Sequence, residues 1–106
     1  MRSTRWLTCL TLQGDDAARR RDHVLRSLER HSVEARPVWK PMHLQPLFQG
    51  APYFPHAPGE DVSARLFAAG LCLPSGSNLA EEQLVRVIDH LRRALQRAEA
   101  LGAAAV

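Results

Sequence analysis

The sequence predicts a mixed α/β (α+β) domain, a small sandwich of about three strands with two longer helices and one short helix. Two observations predict it. Short apolar runs bounded by glycine and proline alternate with segments of helical periodicity. A chain of 106 residues also has room for one hydrophobic core. The predicted order of strand, helix, strand, loop, helix, strand and helix favours a single domain over residues 1–106, whose sheet is covered mainly on one face.

The first strand and helix follow from the first third of the chain. Residues 6–12, from Trp6 to Leu12, are rich in strand-forming types, and Gly14 ends the run. Asp15 or Asp16 is expected to cap the helix that follows. This helix should end near His31 and pack on the sheet through Val24, Leu25 and Leu28.

The second strand, predicted from Glu34 to Trp39, is expected at an edge of the sheet because Pro37 cannot donate a ladder hydrogen bond. Residues 40–60 form a proline-rich segment in which no period holds, and we expect an irregular loop. Unstructured loops of this length in small domains tend to be functional or disordered, and the aromatic residues here favour an ordered, functional loop.

A short helix is predicted after this loop, capped by Asp61 or Ser63, with Leu66 and Phe67 facing inward. Gly70 is a natural place for it to end.

The last strand and helix complete the predicted fold. Residues 71–73 should form a short buried strand. Asn78 is expected to open the final helix, with Glu81 placed as in a capping box. The tail, residues 100–106, is expected to fray. The strongest helical period in the sequence joins Leu84, Ile88, Leu91 and Leu95.

Composition and charge exclude several classes of protein. A hydrophobic share of 45% and a charged share of 24% are ordinary for a globular protein and favour neither disorder nor a membrane protein. The net charge of +3 is small, and we expect Arg19 to Arg21 to form a solvated helix face. A nucleic-acid binder using these arginines is the weaker alternative, and no membrane partner is expected.

The cysteines and histidines give no sign of a disulfide framework or a metal site. Cys9 and Cys72 lie in apolar runs, where a thiol usually behaves as a core residue. Two cysteines without a CxxC pair favour a reducing, cytoplasmic location, and the N-terminal run favours a strand over a signal peptide. The five histidines are not spaced as metal ligands, so no metal is predicted.

No self-contained catalytic site is visible. Lys40, the one lysine of the chain, lies among apolar residues without an acidic partner at a recognisable spacing. Ser75 to Ser77 could imitate a phosphate-binding turn, but a tight turn before a helix is the simpler interpretation. We therefore predict no catalytic and no cofactor-binding residue on this chain.

Three stretches nevertheless resemble one family. They are "RWLTCLTL" from Arg5, "EARPVWKPMHLQPLF" from Glu34 and "LFAAGLCLPSGSNL" from Leu66. Together with the helix "EEQLVRVIDHLRRAL", they resemble the C-terminal small domain of the DegT/DnrJ/EryC1/StrS aminotransferases, fold-type I enzymes that use pyridoxal phosphate to transaminate nucleotide-linked sugars. The resemblance spans most of the chain in the family's order.

The resemblance implies an incomplete enzyme. Family members carry the cofactor and its aldimine lysine on a larger N-terminal domain that is absent from these residues, and Lys40 matches the small-domain "WKP" segment instead. We expect a fragment, a truncated reading frame or one chain of a split enzyme, inactive by itself. The partner would be a large-domain chain or a second copy. The alternative is a non-catalytic interaction module that complements a separate large-domain chain.

The resemblance also implies substrate-binding residues in the "WKPMHLQP" segment. His43 is the first candidate for contact with a nucleotide sugar, followed by Lys40, Gln45 and Trp39. For the apolar residues of this segment we expect a packing role within the domain; these are Trp39, Met42, Leu44, Leu47 and Phe48.

Overall fold

A computed structural model of the chain describes residues 1–104 and confirms a mixed α/β fold. Within these residues it has three strands, two longer helices and one short helix, with two 3₁₀ turns in the long loop. The strands are β1 (Thr8–Thr11), β2 (Arg36–Pro37) and β3 (Gly70–Leu73). The helices are α1 (Ala17–Glu29), α2 (Val62–Ala69) and α3 (Glu81–Ala104), and the 3₁₀ turns are Met42–Leu44 and Pro46–Phe48.

The sheet is antiparallel, with β3 between β1 and β2. Cys9 lies opposite Cys72, and Arg36 also pairs with Cys72 from the other side. Pro37 is on the edge strand β2, as predicted, because an edge strand leaves its outer backbone positions without a ladder partner.

The hydrophobic core lies on one side of this sheet, under α1 and α3. Val24 and Leu28 of α1 and Leu71 of β3 are fully buried. Ala94 and Ala98 of α3 are fully buried too, and their small side chains let the two helices approach closely. Leu10 of β1, Leu73 of β3 and Leu12, which directly follows β1, pack against this cluster.

The opposite face of the sheet is open. Side chains alternate along a strand, so Cys9 and Cys72 point away from the face that Leu10 and Leu71 cover. Cys9 is exposed and Cys72 half-buried, which corrects the prediction that both thiols are core residues. Trp6 and Trp39 lie at this side with ring centroids 5.7 Å apart and remain 70% and 61% exposed.

Helix α3 differs from its prediction in start and in orientation. It begins at Glu81 rather than at Asn78, and Gln83 caps it by accepting a 2.9 Å hydrogen bond from the Ala80 backbone N–H. The buried positions are Val87, Ala94 and Ala98, whereas two members of the predicted stripe, Leu84 and Ile88, are 47% and 37% exposed.

Three details of α1 and α2 also differ. Arg21 is buried instead of solvated, because its guanidinium donates to the Phe67 carbonyl oxygen at 3.0 Å and lies over the Phe67 ring. Asp16 precedes α1 without a side-chain capping bond and lies near Arg19 and Arg20 instead. Leu66, predicted to face inward, is 48% exposed.

The segment that carries the substrate-binding candidates does not pack as predicted. Met42 and Leu47 are 59% and 85% exposed, and Trp39 and Leu44 are exposed as well. The radius of gyration is 16.0 Å, whereas a compact domain of about 100 residues has about 13 Å. The chain is therefore less compact than a typical domain of its size. The tail predicted to fray, residues 100–106, begins inside α3, which continues through Ala104. Residues 105 and 106 lie outside the described part of the chain.

We predict that Leu71→Ala destabilises the domain, because it removes a fully buried side chain from the central strand. The expected loss is about 2 to 5 kcal/mol of unfolding free energy in urea titrations followed by circular dichroism. Leu47→Ala is the matched control at a position that is 85% exposed, with an expected loss below about 0.5 kcal/mol. Equal losses for the two variants would contradict this core.

Candidate functional site

The long loop is ordered by prolines and by its two 3₁₀ turns. Pro41 precedes the first turn and Pro46 occupies the first position of the second. Proline is favourable at the start of a helical turn because its fixed φ suits that position and its missing N–H would be unpaired anyway. His43 is the central residue of the first turn.

His43 is held by two side chains from farther along the chain. Its Nε2 atom lies 2.6 Å from Asp61 Oδ2, and the Tyr53 ring stacks on the imidazole with centroids 3.8 Å apart. Tyr53 also donates its hydroxyl hydrogen to Asp61 Oδ1 at 3.1 Å. We call His43, Tyr53 and Asp61 the histidine cluster. Its imidazole is largely buried, with 18% of the side chain exposed.

Asp61 organises this cluster from the N-cap of α2. Its Oδ1 accepts a 2.9 Å bond from the Ala64 backbone N–H and a 3.1 Å bond from the Ser63 hydroxyl. The Ala64 bond is the main cause that lowers the pKa of Asp61 from 3.8 to about 2, and the bonds from His43, Ser63 and Tyr53 act in the same direction. Partial desolvation opposes them. Asp61 is therefore a carboxylate at neutral pH.

The charge of Asp61 decides which imidazole nitrogen carries hydrogen. A carboxylate can only accept, so Nε2 of His43 must donate to Asp61. In the neutral imidazole Nδ1 is then an acceptor, and in the protonated imidazole it is a donor. Among the described residues Nδ1 takes part in no hydrogen bond, and it is not among the buried polar atoms. Nδ1 is thus available to a ligand hydroxyl or, when protonated, to an anionic oxygen.

The other candidates named from the sequence take different positions. Gln45 donates from Nε2 to the Lys40 backbone carbonyl at 3.1 Å, so it closes the turn that contains His43. The Lys40 side chain is exposed. Trp39 packs with Trp6 at the open face of the sheet, away from the contacts of the histidine cluster.

Lys40 does not meet the requirements of a lysine that holds pyridoxal phosphate. That cofactor needs a lysine for its Schiff base and an acidic or cationic partner for its ring nitrogen. Lys40 is exposed on a loop and forms no ion pair within residues 1–104. Lys40 is thus not placed as a Schiff-base lysine in the described part of the chain.

Two members of the histidine cluster were missed as site residues from the sequence. The sequence predicts Asp61 only as a helix cap, which it is, and Tyr53 is only one of the aromatic residues that favour an ordered loop. Asp61 lies eighteen residues after His43 and across an irregular loop, so no period relates the two. One signal in the sequence could have identified Asp61 as a site residue: an aspartate that caps a helix with one carboxylate oxygen keeps its second oxygen free for another donor.

The remaining features have structural roles. Ser75 donates its hydroxyl hydrogen to the Leu73 carbonyl at 2.9 Å and accepts from the Thr8 backbone N–H at 2.8 Å, so it joins β1 to the end of β3. Within the described residues, no three histidine, cysteine or acidic side chains come together as a metal site. None of the described helices is both long and apolar enough to cross a bilayer.

Comparisons with known proteins agree on one family. The sequence model of the DegT/DnrJ/EryC1/StrS aminotransferase family matches residues 2–92. The chain is 48% identical over 89 residues to "Putative pyridoxal phosphate-dependent aminotransferase EpsN" of Bacillus subtilis (strain 168), covering 84% of this chain and 22% of that protein. It is 33% identical over 92 residues to GDP-perosamine synthase of Caulobacter vibrioides, covering 85% of this chain and 23% of that protein.

The chain thus spans less than a quarter of the length of either curated relative. No solved structure matches the sequence significantly.

We predict that Asp61→Asn destabilises the domain in a pH-dependent way. Asparagine still accepts from Ala64 N–H but lacks the charge that faces His43. The folded-state pKa of Asp61 is below its ordinary value, so its ionised form adds stability above pH 3.8, which is lost as pH falls towards about 2. The difference in urea midpoint between native protein and Asp61→Asn should therefore shrink over this range.

Asp15→Asn, which removes an exposed carboxylate outside the cluster, is the control. A difference between native protein and Asp61→Asn that stays constant from pH 5 to pH 2 would contradict the role of the Asp61 charge.

Proposed function

The chain belongs to the DegT/DnrJ/EryC1/StrS aminotransferase family, and from this premise we propose that it forms the small C-terminal domain of a pyridoxal phosphate-dependent sugar aminotransferase. Its substrate would be a sugar linked to a nucleotide, a class to which the name of the Caulobacter relative also points. In this proposal the cofactor and its lysine belong to a separate large domain. The 106 residues alone are then inactive.

The histidine cluster carries the proposal. A histidine with one nitrogen committed to a carboxylate, one face covered by a tyrosine ring and the other nitrogen free is oriented before any ligand arrives. A group that is already ordered loses little entropy on binding. A hydroxyl of the sugar can donate to neutral Nδ1, and a phosphate oxygen can accept from protonated Nδ1.

The neighbours of His43 would add weaker contacts. Lys40 is exposed and its long side chain carries a compact charge, so it suits a long-range attraction for the phosphates better than a fixed contact. The Gln45 amide is engaged with the Lys40 carbonyl and holds the turn. Trp39 would contact the substrate only if the ligand reached the open face of the sheet. We keep His43 as the principal substrate contact.

An interaction module without catalysis of its own is the second candidate. It is favoured by apolar side chains that remain exposed in the N-terminal segment, the long loop and α3, among them Trp6, Leu47, Phe54, Leu84 and Val85. A partner chain that covered these side chains would remove apolar surface from water, which favours association. Such a module would complement a separate large-domain chain. Co-elution of this chain with a relative from which the matching segment has been deleted would favour this second candidate.

We predict that the 106-residue polypeptide forms no Schiff base. After incubation with pyridoxal phosphate and borohydride reduction, intact-mass and peptide analysis should find no specific adduct on Lys40, because this lysine is exposed and in this proposal the groups that hold the cofactor belong to the large domain. Lys40→Arg is the control for the background level of modification. A stoichiometric adduct on Lys40 at low cofactor concentration would contradict the proposal.

We also predict that these residues can replace the matching segment of the Caulobacter synthase. The chimera should retain measurable transamination, and His43→Ala in the chimera should lower kcat/KM about ten-fold or more, the effect of losing a hydrogen bond to a charged or strongly polar group. His56→Ala is the matched control, since His56 is an exposed histidine of the same loop.

The absorbance of the bound cofactor separates two kinds of failure in this experiment. A chimera that lacks both cofactor and activity reports a mismatched domain interface. A chimera that binds cofactor and is unaffected by His43→Ala contradicts the assignment of His43.

A further inference from the structure

The two cysteines form a pair that the proposed function does not use. They are directly opposite each other on the neighbouring strands β1 and β3, and their Sγ atoms are 3.4 Å apart in a hydrogen-bonding contact. Both are free thiols on the open face of the sheet, and Cys9 is exposed.

The backbone geometry permits a disulfide here. Opposite residues of an antiparallel pair have Cα atoms about 4.5 or 5.5 Å apart, depending on their hydrogen bonding. Both values lie in the range of about 4.4 to 6.8 Å found for disulfides. The sulfur atoms would have to approach from 3.4 Å to about 2.0 Å. Rotation of the side chains can supply this movement without a change of strand pairing.

We propose that Cys9 and Cys72 are a thiol–disulfide exchange site that accepts small-molecule disulfides at Cys9 and closes to a reversible cross-strand disulfide with Cys72. The site goes beyond the proposed aminotransferase role, which involves neither residue. Intracellular disulfides are usually transient, and their cysteines are typically accessible. An exposed pair on an open sheet face has this accessibility.

The chemistry proceeds in two exchanges that balance. The Cys9 thiolate attacks one sulfur of the small disulfide, its S–S bond breaks, and one small thiolate leaves with the electron pair. The Cys72 thiolate then attacks Cys9 Sγ, the mixed disulfide breaks, and the second small thiolate leaves. The two leaving thiolates take up the two protons that the cysteines lose. The protein dithiol is oxidised by two electrons, and one small disulfide is reduced to two thiols.

The surroundings of the two thiols set this order. Cys9 is exposed, whereas burial raises the pKa of the Cys72 thiol to about 11, with further upward contributions from its hydrogen bond and Coulomb interaction with Cys9. The thiolate is the nucleophile, so the half-buried thiol of Cys72 is the slower one to attack a solute. Once Cys9 is in a mixed disulfide its own charge can no longer raise the pKa of Cys72, and Cys72 becomes a better nucleophile for the second step.

Oxidation would alter the open face itself. Cys72 lines a cavity of about 450 Å³ on this face together with Trp39, Arg36 and Pro74. The disulfide would join positions 63 residues apart in sequence and fix β1 to the central strand at this cavity. A cross-link between positions so distant in sequence restricts the unfolded chain and stabilises the fold.

The test uses the full 106-residue protein, reduced and then incubated anaerobically with oxidised glutathione. We expect both thiols to disappear in a thiol assay, with an intact mass lower by two hydrogen atoms, a monomer on non-reducing gels and full reversal by dithiothreitol. The thermal midpoint should rise by roughly 10 °C on oxidation. Two persistent free thiols, a stable glutathione adduct on the native protein, or disulfide-linked dimers would each overturn the proposal.

Two variants test the order of attack. Cys72→Ser should accumulate a stable glutathione adduct on Cys9. Cys9→Ser should react with glutathione disulfide at least roughly ten-fold more slowly than Cys72→Ser, because its remaining thiol is partly buried. Circular dichroism of the reduced variants confirms that each is folded. Reaction of Cys9→Ser as fast as Cys72→Ser would overturn the assignment of Cys9 as the point of entry.

Discussion

The domain depends on the pairing of one four-residue strand, β3, with both other strands. Leu71 of this strand is fully buried against α1 and α3, while its neighbour Cys72 faces the open side of the sheet. β3 follows α2 without a linker, since α2 ends at Ala69 and β3 begins at Gly70. This junction needs glycine, because a Cβ atom at position 70 would lie 2.6 Å from the Leu66 carbonyl oxygen and 2.8 Å from the Val38 side chain. Core, open face and histidine cluster are therefore all positioned through β3.

A sheet that is covered on one face only explains the surface of this domain. The two tryptophans, the cysteine pair and an apolar cavity all lie at the uncovered face. The exposed apolar positions of α3 add a second surface on another side. In the proposed aminotransferase a larger domain would cover part of these surfaces, and the histidine cluster would meet a ligand held there. The reversible disulfide would then belong to a face whose accessibility depends on that partner.

The sequence allowed prediction of the parts of the fold that follow from local patterns. Val24 and Leu28 have helical spacing and are buried, Pro37 is on an edge strand, and Asp61 caps α2. Helix α3 shows where this approach fails. The predicted stripe from Leu84 and the buried one from Val87 have the same spacing and share Leu91, so periodicity alone could not choose between them. The deciding residues are two alanines, Ala94 and Ala98, whose small size allows close helix packing but gives little hydrophobic signal.

The histidine cluster could be predicted only in part. A family resemblance pointed to His43, but its partners are Tyr53, ten residues later in the irregular loop, and Asp61, the cap of α2. Only the folded loop brings them together. The cysteine pair is similar, because its contact depends on the strand register and not on spacing in the sequence.

We propose that His43 contacts the substrate and that a separate large domain completes the active site. A crystal structure of the Caulobacter chimera with a nucleotide-linked sugar tests this most directly. The account predicts that His43 Nδ1 lies within about 2.7 to 3.2 Å of a polar ligand atom, while Nε2 remains bound to Asp61. A structure in which His43 faces bulk solvent, with no ligand atom within hydrogen-bonding reach, would contradict it.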